Sequence, residues 1–144
     1  MSLFSKIFGK KEPAQPTPAQ KAEDLSQEKT HRDAWESVGW VPQEMAPGEG
    51  LVLYNSADRP TFLDVREAHE LETEGYIPGS IHIPTGELPT RYGELKPGKP
   101  VIVYCASGMR SMDAGAFLLE KGFESVSNLN GGMSLWSGPR EGRK

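Results

Sequence analysis

Apolar and polar positions alternate along this chain in short runs. The runs switch between the two-residue period of a strand and the three-to-four-residue period of a helix. Val101-Ile102-Val103-Tyr104 is a run of four β-favouring residues and reads as a short buried strand. From Ser111 the pattern turns helical, with Ala114, Phe117 and Leu118 at spacings of three and four, and Lys121-Gly122 reads as its stop. Upstream, Trp40–Met45 is a short strand broken by Pro42, and Gly50–Asn55 fits strand or helix by pattern alone. Ser56–Pro60 is a turn, Thr61–Arg66 a strand, Glu67–Glu74 a short helix and Gly75–Ser80 a turn-rich link. Ile81–Pro84 reads as a brief strand and Glu87–Leu95 as a loose helix closed by Lys96-Pro97-Gly98. Downstream come a strand at Ser125–Leu129, a turn at Asn130-Gly131-Gly132, a short helix at Met133–Trp136 and a polar tail expected to fray. Strands and helices alternate throughout, which predicts an α/β fold with a parallel sheet covered on both faces.

The pattern weakens before residue 39. Residues 1–11 place Leu3, Phe4, Ile7 and Phe8 on one helical face beside Lys6, Lys10 and Lys11. Such a basic amphipathic segment suits weak docking to an anionic membrane surface or to a protein; a disordered terminus is the alternative. Residues 12–38 begin with the proline-rich Glu12–Gln20, an extended linker, and continue as a marginal helix. The domain is thus expected at 39–138, with 139–144 as tail. The 144 residues suffice for one such domain, and 36% hydrophobic content is low because part of the chain lies outside the core.

Charge and cysteine usage narrow the function. Residues 1–32 carry six Lys/Arg against four Asp/Glu, and the remainder ten against sixteen. An acidic domain without a basic stripe argues against nucleic acid as partner. The single cysteine excludes an internal disulfide framework and a multi-cysteine zinc site, and His31, His69 and His82 lack zinc-ligand spacing with it. No apolar run approaches a membrane span, and Lys6, Lys10 and Lys11 interrupt any signal-peptide core. A lone thiol suits a reducing compartment, so the expectation is cytoplasmic, peripheral at the membrane's inner face if residues 1–11 dock.

That cysteine is the centre of the candidate chemistry. Cys105 follows the strand at once, and the small-residue loop Ala106-Ser107-Gly108-Met109-Arg110 leads to Ser111. A helix N-terminus presents unpaired N–H groups and partial positive charge. A thiol held there beside Arg110 favours its thiolate, the nucleophilic form. The same N–H groups can stabilise negative charge passed to an atom bound on the sulfur. Asp64 and Arg66 end another strand, on the edge where functional groups gather in parallel sheets; an ordinary ion pair is the plainer reading.

Four motifs in order resemble the rhodanese family from about Val41 to Trp136: Leu63-Asp64-Val65-Arg66-Glu67; Gly75-Tyr76-Ile77-Pro78-Gly79-Ser80; Val103 to Ser111, with its Cys-x-x-Gly-x-Arg-Ser loop; and Leu129-Asn130-Gly131-Gly132 with Trp136. The first thirty-odd residues lie outside the resemblance. It implies a rhodanese-like three-layer α/β/α sandwich with a five-stranded parallel sheet in the order 3-2-4-5-1. It also implies that Gly50–Asn55 is helical, opened by Ala46-Pro47. The implied activity is sulfurtransfer: Cys105 takes a sulfane sulfur from thiosulfate or a persulfide and passes it to a thiol, or to cyanide, with no cofactor. By position, the N–H groups of residues 106 to 110 form the anion cradle with Ser111 beside them, Arg110 closes it, and Asp64 and Arg66 brace the loop.

The sequence departs from the family's pattern where a second loop cation often stands. Here those positions are Ala106 and Ser107, and Met109 is apolar. One arginine and backbone donors suit a dianion such as thiosulfate poorly, which points to persulfide donors. Two other classes compete. A phosphatase or arsenate reductase of the Cys–Arg loop kind places five residues between Cys and Arg, whereas Ala106 to Met109 are four. A non-catalytic adaptor would keep the fold, but it has no need of an activated thiol.

Overall fold

The computed structural model describes residues 39–96 and 98–142; the expectations for residues 1–11 and 12–38 lie outside them. The strands are β1 (Gln43–Met45), β2 (Thr61–Asp64), β3 (Ile81–His82), β4 (Val101–Tyr104) and β5 (Val126–Leu129). The helices are α1 (Pro47–Tyr54), α2 (Ala68–Glu74), α3 (Leu88–Arg91), α4 (Met109–Glu120) and α5 (Gly132–Leu135). The ambiguous stretch at 50–55 is helical. Pro47 starts it in the first turn, where a missing N–H is no loss. The loose helix expected at 87–95 is one α-helical turn, α3, between two 3₁₀ turns.

The strands form one sheet in the order β1-β5-β4-β2-β3, and every pairing is parallel. Read from its other edge, this is the order that the family resemblance implies. The pleat divides the core in two. Leu63, Val65, Val101, Val103 and Val126 pack on one face with Ala114, Phe117 and Leu118 of α4, and with Leu88 and Leu95. Phe62, Ile102, Tyr104 and Leu129 pack on the other with Tyr54 of α1, Met133 of α5 and Trp136. Each fully buried side chain of this kind is worth roughly 1.5–3 kcal/mol. All four residues of β4 are buried, as are those of β5, whereas neither residue of β3 is, so β4 is a firm platform inside the sheet. Cys105 is the next residue. Among the described residues no helix is long and apolar enough to cross a membrane.

Two expectations change. First, α4 begins at Met109 instead of Ser111, with Gly108 at the N-cap in a left-handed conformation (φ 102°). Its first turn faces the loop rather than the core, so it adds nothing to the apolar periodicity. Second, the tail does not fray as far as it is described. Arg140 Nη2 donates to the carbonyls of Met133 (2.7 Å) and Trp136 (2.8 Å). Trp136 Nε1 donates to the Pro139 carbonyl at 2.9 Å, and Tyr76 and Glu141 exchange backbone hydrogen bonds of 2.9 Å each. These contacts satisfy donors and carbonyls that a free tail would leave to water.

Candidate active site

The chain leaves β4 into a loop that folds back over its own sulfur. Cys105 is 1% exposed. Its Sγ accepts the Gly108 N–H at 3.1 Å and the Ser111 N–H at 3.4 Å. These belong to the N-cap and first turn of α4, where N–H groups lack intrahelical acceptors. Sulfur and helix end thus meet as the sequence predicts, with the donors of Gly108 and Ser111 aimed at Sγ. Gly108 is needed for this turn: its φ is positive, and a Cβ there would lie 3.2 Å from the Gly131 N.

The Ser111 hydroxyl lies 3.3 Å from Sγ and is completely buried. It donates its one proton to Asn128 Oδ1. The orientation of Asn128 follows from its neighbours. Its Nδ2 donates to the Gly108 carbonyl at 3.1 Å and to the Glu44 carboxylate at 3.2 Å, both of which only accept. The oxygen of Ser111 therefore turns a lone pair toward Sγ, where a thiol S–H can donate. Asn128 and Glu44 were not apparent from sequence reasoning. A polar side chain in an otherwise buried strand, Val126-Ser127-Asn128-Leu129, was the available signal.

A third support comes from α5. The Met133 N–H donates to the Cys105 carbonyl at 2.9 Å. The Ser134 N–H (3.0 Å) and Oγ (2.8 Å) both donate to the Ala106 carbonyl. Gly132 permits this contact: it has φ 51°, and a Cβ on it would sit 2.1 Å from the Cys105 carbonyl oxygen.

The Arg110 guanidinium is engaged by Glu70. Its Nη1 and Nη2 each donate to one carboxylate oxygen of Glu70, at 2.8 Å. Glu70 also accepts the Glu67 N–H at 3.0 Å, as half of a capping box that starts α2. The hydrogen bonds from Arg110 outweigh burial and hold the Glu70 carboxyl at about 2. A bidentate, half-buried pair of this kind neutralises most of the cation's charge. The spacing Glu67-x-x-Glu70 was the sequence signal for the cap; nothing local linked it to Arg110.

Asp64 and Arg66 are each 0% exposed, and they pair through Nε (3.0 Å) and Nη2 (2.7 Å). Arg66 Nη2 also donates to the Gly75 carbonyl at 2.7 Å. Tyr104 lies beside them; its hydroxyl accepts the Ile77 N–H at 3.1 Å, and burial raises its ionisation well above the normal phenol range. No hydrogen bond runs from Asp64 or Arg66 to residues 105–111 among the described residues. Their path to the loop runs through Gly75, which ends α2, then Glu70 and Arg110. Ala106 and Ser107 lie in the loop and Met109 opens α4, and none of the three adds charge. No three His, Cys, Asp or Glu side chains among the described residues converge as a metal site would need.

Between α2 and α5 lies an open polar cavity of about 360 Å³, lined by Thr73, Glu74, Met133, Ser134 and Arg140. Two of its walls, Met133 and Ser134, are the residues bonded to the Cys105 and Ala106 carbonyls.

Known proteins resemble this chain in sequence and fold. The family model of the rhodanese-like domain matches residues 51–139. A sulfurtransferase of Allochromatium vinosum is 36% identical over 67% of this chain and 81% of its own length. The thiosulfate sulfurtransferase GlpE of Stutzerimonas stutzeri is 36% identical over 52% of this chain and 68% of its own. Among solved structures, a rhodanese-related protein from Thermoplasma volcanium superposes with a TM-score of 0.57 at 36% identity, covering 65% of this chain and 89% of that one. A rhodanese-like domain protein from Staphylococcus aureus gives 0.63 at 25% identity, covering 71% and 96%. With the family model spanning more than half of its residues, and a matching parallel sheet, the chain belongs to the rhodanese-like domain family.

Proposed function

We propose that this protein is a sulfurtransferase that carries sulfane sulfur on Cys105. The observation that carries the reading is the pair of N–H donors, Gly108 and Ser111, aimed at a single buried sulfur. Donors so placed stabilise negative charge on sulfur without reorganising. The Cys105 thiolate attacks the outer sulfur of a donor R–S–SH. A new S–S bond forms at Cys105, the donor's S–S bond breaks, and R–S⁻ leaves with the electron pair. An external thiolate then attacks the outer sulfur, forms its own persulfide and returns Cys105 as thiolate. The acceptor is external because the chain has one cysteine.

Persulfides suit the site better than thiosulfate does. Thiosulfate is a dianion, and the one loop cation, Arg110, is already matched by Glu70. Arg110 acts here as a positioning residue that ties α4 to α2, and Asp64 and Arg66 support the other end of α2.

Intact-mass spectrometry tests the proposal. Incubation with glutathione persulfide should add one sulfur, about 32 Da, to the persulfide-forming cysteine. The gain should be absent in Cys105→Ser and lost on adding a thiol. Failure of both glutathione persulfide and thiosulfate to load the folded protein would overturn the reading. A Michaelis constant for thiosulfate in the millimolar range or weaker is expected, and a tight one would sink the donor preference.

A further inference from the structure

We infer that the cavity between α2 and α5 binds the carrier part of an amino-acid-type thiol or persulfide, one with both a free ammonium and a free carboxylate. Glu74 takes the ammonium and Arg140 the carboxylate. The inference rests on the sulfurtransferase reading and names the substrate class for it.

Three observations carry it. The first is position. Ser134 lines the cavity and holds the Ala106 carbonyl by two hydrogen bonds, 3.0 and 2.8 Å. Met133, also in the wall, holds the Cys105 carbonyl at 2.9 Å. The opposite wall, Thr73 and Glu74, lies one turn beyond Glu70 on α2, the helix that anchors Arg110. The cavity therefore lies between two supports of the sulfur loop, α5 on one side and α2 on the other.

The second is charge. Glu74 and Arg140 line the same cavity, yet they form no ion pair with each other among the described residues. The cation nearest to Glu74 is Arg66 Nη1, at 3.9 Å, and that guanidinium is already bound to Asp64. Arg140 spends Nη2 on the carbonyls of Met133 and Trp136. Its Nε and Nη1 have no protein acceptor among the described residues. Two separated, opposite charges, one only loosely paired and the other with two unengaged nitrogens, are complementary to a zwitterion. A dianion such as thiosulfate gains Arg140 and is repelled by Glu74, so the cavity selects in the same direction as the neutralised Arg110.

The third is size and character. About 360 Å³ lies at the lower end of small-ligand sites, roughly 300–1,000 Å³. It suits an amino acid or a very short peptide. Thr73 and Ser134 add hydroxyls. Arg140 reaches this wall because the tail is tied down by the Trp136–Pro139 and Tyr76–Glu141 bonds.

The test measures sulfur release from Cys105 loaded by polysulfide, with three acceptors: cysteine, cysteamine (ammonium only) and 3-mercaptopropionate (carboxylate only). Corrected for thiolate fraction, kcat/KM should be greatest for cysteine, by about fivefold or more. Glu74→Gln should lower it about fivefold for cysteine and cysteamine relative to 3-mercaptopropionate. Arg140→Gln should lower it by a similar factor for cysteine and 3-mercaptopropionate relative to cysteamine. Arg140→Lys, which keeps the charge, should recover part of that loss, and it separates recognition from a loosened tail. Equal values for the three acceptors, or variants that change all three alike, would overturn the inference while leaving sulfurtransfer intact. If polysulfide, glutathione persulfide and thiosulfate all leave no sulfur on wild-type Cys105, the sulfurtransferase reading itself fails and takes this one with it.

Discussion

Consider Glu70→Gln. In the folded protein Arg110 binds both carboxylate oxygens of Glu70 and holds its carboxyl at about 2, against an ordinary 4.5. The Glu70 side chain is 17% exposed, so solvent screens the pair only in part. Each tenfold change in a protonation equilibrium corresponds to about 1.4 kcal/mol, so the charged form contributes roughly 3 kcal/mol near neutrality. The sign follows from proton uptake. Because the folded value is depressed, the unfolded chain binds more protons between the two values. The contribution is complete above the unfolded value and is lost as pH falls through about 2. Gln at position 70 cannot ionise, so the variant lacks this pH-dependent part. Urea unfolding of both proteins from pH 7 to pH 2 measures it. With a slope of about 2 kcal/mol/M, the variant's midpoint should lie about 1.5 M lower at pH 7. The gap should persist to about pH 5 and close toward pH 2, while other carboxylates cancel in the comparison. A gap that stays constant across this range, or no gap at pH 7, would refute the pairing as a source of stability.

Two further substitutions probe the loop. Gly132→Ala would bring a Cβ to 2.1 Å from the Cys105 carbonyl oxygen, at a positive φ of 51°. It should cost more than about 2 kcal/mol and speed alkylation of Cys105 by opening the loop, read by thermal melting and intact mass. Asn128→Leu releases the Ser111 hydroxyl to turn its proton onto Sγ. Alkylation of Cys105 at pH 7 should then rise about tenfold, the worth of one hydrogen bond to a charged sulfur. The same substitution should have little effect on alkylation in a Ser111→Ala background, since no hydroxyl remains to turn; equal changes in both backgrounds would mean that Asn128 acts only through packing.

What the sequence determined by itself is local. The alternation of Val101 and Val103 against Ile102 and Tyr104 sorts onto two faces because neighbouring strand residues must point apart. The sulfur loop was legible for the same reason: Cys105 and its donors, Gly108 and Ser111, are three and six residues apart. The start of α4 lies two residues before the point where its apolar periodicity begins, because its first turn serves the sulfur and not the core. Tertiary structure alone decided the partners of that loop. Arg110 meets Glu70 across 40 residues, and Asn128 meets Glu44 across 84. These meetings depend on the order β1-β5-β4-β2-β3, which sets β1 beside β5 and so brings Glu44 to Asn128. The tail belongs here as well. Its composition reads as a frayed end, yet Arg140 finds two carbonyls and a cavity wall once α5 and Trp136 are in place. A side chain's chemistry is written in the sequence, but its partner depends on how the sheet brings distant strands and helices together.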